Sequence, residues 1–131
     1  MTMEATKLDA MREALLARRK EIEDEIQRLD TELRAIGADQ DLERGGLGNH
    51  FAEDGSSVTE QERISTLSDH LHGQLQQVES ALERMEKGTY GICQRCGKPI
   101  NEERLEAFPY VAYCIECQSQ LERQQALRAR Y

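Results

Sequence analysis

The chain has 131 residues, enough for one domain or for a small domain with an extension. Aromatic residues make up only 5%, tryptophan is absent and 32% of residues are charged, which excludes a broad hydrophobic core and describes a helical protein rich in exposed surface. A small globular part would therefore need a staple. The net charge of −8 repels phosphate backbones, so direct sequence-specific nucleic-acid binding is not expected, and a basic protein surface is the more natural partner.

The N-terminal stretch MTMEATKLDAMREALLARRKEIEDEI has no basic segment followed by an apolar one, so no signal peptide is read from it. No apolar run approaches the ~20 residues of a membrane span. A cytoplasmic chain with reduced thiols is the expectation.

Leu8, Leu15, Ile22, Leu29 and Ile36 recur at steps of seven, with Ile26 and Leu33 beside them. Spacing that alternates between three and four residues puts one apolar stripe along a helix and favours a left-handed coiled coil. Arg12 and Arg19 hold equivalent positions near the start, where looser packing or another element is expected. Gly37 is expected to end the helix.

A loop is expected over about 37–57. It contains GGLGNHFAEDGSS at 45–57, and residues 37–59 alone carry a net charge of −4 by count. Ser57 or Thr59 is then read as the cap of a second helix starting near Val58. Its seam comprises Ile64, Leu71, Val78 and Met85, with Leu67, Leu75 and Leu82 alongside, and it ends at Lys87 and Gly88. Two seams of similar length joined by a loop can bury each other. The expected fold is therefore mainly α: a long antiparallel coiled-coil hairpin over 1–87, in a monomer. Self-association through parallel coiled coils is the alternative.

The second expected domain, 88–131, holds all four cysteines: Cys93-x2-Cys96, seventeen residues, then Cys114-x2-Cys117. Two such knuckles can set four thiolates around one Zn²⁺. Disulfides would need an oxidising compartment, and a redox C-x-x-C normally comes singly near a βαβ pattern. One structural zinc is the expectation. Four cysteine ligands leave no open position for catalysis. With four thiolates and one Zn²⁺ the net charge of −8 becomes −10. Gly97 suits the turn of the first knuckle, and Ile100, Leu105, Phe108 and Val111 are expected to pack around the metal. Residues 115–131 read as a closing helix. Its Arg123, Arg128 and Arg130 either meet a partner or favour the helix C-terminus.

The stretch YGICQRCGKPINEERLEAFPYVAYCIECQ resembles the zinc finger of the DksA/TraR family, bacterial regulators that bind RNA polymerase. Tyr90, Gly91, Cys93, Cys96, Gly97, Ile100, Arg104, Leu105, Ala107, Pro109, Cys114 and Cys117 carry the resemblance. It implies that the coiled-coil tip enters the secondary channel of the polymerase and modulates promoter complexes. Well-studied members carry Asp-x-x-Asp-x-Ala at the tip. This chain reads Asn49-His50-Phe51-Ala52-Glu53-Asp54 instead, which is similar to the Asn-His-x-Ala-x-Asp tip of another branch. Asn49, His50, Ala52 and Asp54 are the implied partner-binding residues, and the alternative for this stretch is a solvated connector.

The expected function is thus a transcription regulator acting on RNA polymerase, and the alternative is a zinc-stapled coiled-coil adaptor for another protein. Neither is an enzyme: the sequence shows no phosphate loop, nucleophile constellation or open metal site.

Overall fold

The computed structural model describes the backbone of residues 4–44 and 51–130, and the side chains of 4–37 and 58–129. It is mainly helical, with α1 over Ala5–Arg44, α2 over Phe51–Lys87, α3 over Glu102–Ala107 and α4 over Ile115–Arg130. The first two form the expected antiparallel coiled-coil hairpin. No helix among the described residues is long and apolar enough to cross a membrane.

Both long helices extend further than their sequence patterns predict. α1 runs through Gly37, where an added Cβ would meet only open space, and continues to Arg44. A glycine inside a helix costs about 1 kcal/mol, too little to stop one that has no proline and good helix formers on both sides. α2 begins at Phe51 rather than near Val58, so Ser57 and Thr59 lie inside it and do not cap it. Of the loop expected over 37–57, residues 37–44 belong to α1 and 51–57 to α2, and 45–50 are outside the described residues.

The chain divides into two compact units, Met1–Arg19 with Gln76–Tyr131, and Lys20–Leu75. This division does not follow the sequence boundary at 87/88, because the start of α1 and the end of α2 cluster with the cysteine-bearing segment. In the Lys20–Leu75 unit, Ile22, Leu29, Ile64 and Leu71 are buried, as the heptad spacing requires. Ile26 and Leu33 are half-buried, while Leu67 remains exposed.

The other unit buries Leu15, Val78, Ala81 and Met85 from the long helices, together with Tyr90, Cys93, Ile100, Leu105 and Cys117. Lys7 at the start of α1 forms an ion pair of 2.7 Å with Glu102 at the start of α3. Phe108 departs from expectation and is 48% exposed. It caps the C-terminal end of six-residue α3, where its N–H reaches the Arg104 carbonyl. The inward position on α3 belongs to Leu105, and the Phe108 ring instead meets Tyr110 edge to face.

Candidate metal centre

The chain enters the cysteine segment through two glycines. Gly88 follows α2 at φ +76°, where its N–H returns to the Met85 carbonyl and that of Thr89 to Arg84. Gly91 is held to glycine by its φ of +83°, and an added Cβ would meet the buried Leu105 side chain only at an ordinary contact distance of 3.5 Å. The Gly91 carbonyl accepts from Ile100, and Ile92 bridges to Pro99, so the first knuckle closes as a tight ribbon.

Within that knuckle the Cys93 N–H reaches the Lys98 carbonyl, and the N–H of Gly97 at φ +76° reaches the Cys93 carbonyl. The second knuckle begins at Cys114, whose carbonyl accepts the Gln118 N–H in the first turn of α4, so Cys117 rides on a helix. α3 lies between the knuckles, with Asn101 as its N-cap accepting from the Glu103 N–H.

The four Sγ atoms of Cys93, Cys96, Cys114 and Cys117 all lie within 4.8 Å of one another, and those of Cys96 and Cys114 are 3.8 Å apart. Sulfurs at Zn–S bonds of ~2.3 Å around a tetrahedral ion would be ~3.8 Å apart, so the donor set fits zinc in number, type and spacing. None of the four is in a disulfide.

The electrostatics of the cluster point the same way. Burial opposes ionisation of Cys93, but backbone N–H groups of Cys96, Cys114 and Arg95 outweigh it and bring the thiol down to about 6. Cys117 goes the other way, to about 12, through burial and the neighbouring thiols of Cys114, Cys93 and Cys96. One thiolate forms readily here, but four crowded together do not without a compensating cation. A bound Zn²⁺ supplies that charge and fixes the two knuckles to each other. These four cysteines are a closed structural zinc site.

Around the site, Arg104 donates through Nε to the Tyr113 carbonyl at 3.1 Å, giving a structural task to one of the resemblance residues. Arg84, near the end of α2, was missed by the sequence reading. It is half-buried and its guanidinium donates to the Tyr110 and Val111 carbonyls. In the sequence it looks like a last-turn cation favouring the helix dipole, and nothing in the heptad pattern marks a tertiary role. Burial lowers its pKa from the ordinary arginine value.

Of the expected tip residues, Asn49 and His50 lie outside the described residues. Ala52 and Asp54 fall near the start of α2, among side chains that are likewise outside them.

A helical hairpin carrying a four-cysteine zinc finger is a defined class of protein, and comparisons with known proteins narrow it. Residues 88–123 match the prokaryotic dksA/traR C4-type zinc finger. The structure of transcription factor DksA2 from Pseudomonas aeruginosa is similar over 94% of this chain and 88% of its own, with a TM-score of 0.74 and 30% sequence identity. General stress protein 16O of Bacillus subtilis is 34% identical over 108 residues, 82% of this chain and 64% of its own length. The RNA polymerase-binding transcription factor DksA of Caulobacter vibrioides is 34% identical over 79 residues, 59% of this chain and 56% of its own. This chain therefore spans less than two thirds of either curated relative. It belongs to the DksA/TraR family.

Proposed function

We propose that the chain regulates transcription by binding RNA polymerase directly, its coiled-coil tip entering the secondary channel of that enzyme. The observation that carries this reading is family membership supported by fold similarity over nearly the whole chain, 94% of it. Charge supports it independently. Lys20–Leu75 contains fourteen Asp and Glu against five Lys and Arg, a net −9, whereas the remaining residues sum to +1. A unit so acidic is repelled by DNA and attracted to a basic protein surface.

In this reading the zinc finger is structural, the protein acts as a cytoplasmic monomer, and it performs no covalent chemistry. Asn49, His50, Ala52 and Asp54 make the tip contacts. The Asp54 carboxylate suits basic groups or a metal held by the partner. Because the tip reads Asn-His-x-Ala-x-Asp in place of Asp-x-x-Asp-x-Ala, its effect on promoter complexes belongs to this variant tip.

The test is in vitro transcription with the wild type and with Asn49→Ala, His50→Ala and Asp54→Ala combined. The triple variant is expected to associate with the polymerase but to lose the effect on transcript yield. A second reading, an adaptor for another protein, draws on the exposed Val58 and Leu67 of α2. It predicts that the triple variant and the wild type give the same transcripts.

A further inference from the structure

The chain between α3 and the second knuckle has no regular structure, yet five consecutive carbonyls in it are all engaged. The Tyr90 hydroxyl donates to Pro109 at 2.8 Å, and Arg84 donates to Tyr110 and Val111 at 3.4 Å each. The Gln94 N–H donates to Ala112 at 2.9 Å and Arg104 Nε to Tyr113 at 3.1 Å. The next residue is the zinc ligand Cys114. The donors come from four places: the end of α2, the turn that follows it, the first knuckle and α3.

A peptide leading to a metal ligand must be held where the ligand is needed, or its ordering entropy is charged against metal binding. Here two of the holding groups belong to the coiled coil or its exit rather than to the finger loop. Arg84 sits one helical turn before the end of α2, and its Nη2 alone donates to both adjacent carbonyls. Tyr90 is buried and its phenol is pushed up to about 12 by that burial, so its proton remains available for Pro109.

We propose that Arg84, assisted by Tyr90, is a positioning residue through which the end of α2 sets the zinc affinity of the finger. Coupling of this kind is reciprocal: if the clasp favours zinc, zinc must favour the clasp and the order of the helix that carries it. Zinc occupancy then controls the hairpin base as well as the finger.

Two readouts on the full chain test this. Zinc affinity is measured by competition with a chromophoric chelator, and hydrogen exchange over residues 76–87 is compared before and after zinc is stripped. Arg84→Met, which keeps the apolar stem and removes the donors, is expected to weaken zinc binding about tenfold, and Tyr90→Phe about threefold. Arg84→Lys should recover part of the loss, because a single ammonium can also donate to the two adjacent carbonyls. In the wild type, stripping zinc should speed exchange over 76–87, and in Arg84→Met that zinc-dependent difference should disappear. Should Arg84→Met fail to fold with zinc, Tyr90→Phe decides in its place. Wild-type zinc affinity in the deciding variant overturns the proposal, and so does unchanged exchange over 76–87 on stripping the wild type.

Discussion

The two compact units solve the same problem with different chemistry. Lys20–Leu75 is held by an apolar seam of Ile22, Leu29, Ile64 and Leu71 and carries a net −9. The unit containing the finger is close to neutral and depends on a zinc site, a buried Tyr90 and side chains clamped onto loop carbonyls. A repeating helix pair gains stability by adding heptads, so its surface is free to be acidic. A short segment with few apolar residues cannot do that and relies on metal. The lesson is that the metal and the acidic charge are assigned to different parts of one small chain.

The largest effect that separates the units should come from metal removal. Structural zinc contributes an apparent ~10–16 kcal/mol in zinc-finger peptides, comparable with the entire stability of a small domain. Chelation should therefore release amide protection across 88–118 while amides in the seam of Lys20–Leu75 keep theirs, as read by hydrogen exchange. Equal loss in both units would break the distinction.

Core truncation comes next. Ile64→Ala and Leu105→Ala each remove a side chain that is only 1% exposed and should each cost about 2–5 kcal/mol in urea unfolding. Zinc affinity should fall only for Leu105→Ala, which lies between the knuckles. A fall with Ile64→Ala would show that the units are not independent.

A smaller, pH-dependent effect belongs to Tyr90. Its folded pKa of about 12 exceeds the ordinary value of 10.0, so the buried neutral phenol stabilises the fold. That contribution is fully present below pH 10 and is lost as pH rises towards 12. Tyr90→Phe should flatten the fall in melting temperature over this window, measured at fixed zinc concentration.

The smallest effect should come from the exposed pair Lys7–Glu102, whose attraction raises the Lys7 pKa. Glu102→Gln should differ from the wild type only at low ionic strength, the difference closing near 1 M salt, where screening acts over about 3 Å.

Sequence periodicity located most of the helical core because burial on a coiled coil is a one-dimensional property. All four second-seam residues, Ile64, Leu71, Val78 and Met85, are buried. Ala81 was not legible. It is fully buried where Leu82 is only half-buried, because it holds the seam position three residues after Val78 and fourteen after Leu67, where a small alanine is a weaker apolar signal than the neighbouring leucine. The four cysteines were legible because ligand type and spacing encode the site directly. Phe108 was misplaced because hydrophobicity alone does not reveal that α3 ends before the ring can turn inward. Arg84 was invisible for the opposite reason: its partners are backbone carbonyls 26 and 27 residues away, which carry no side-chain signature.

Direct binding of the zinc-loaded full chain to core RNA polymerase, followed across a salt titration, tests the central claim most directly. The account predicts saturable association at low salt that weakens as salt rises, with no measurable affinity for duplex DNA under the same conditions. Absence of association with the polymerase at low salt would contradict it.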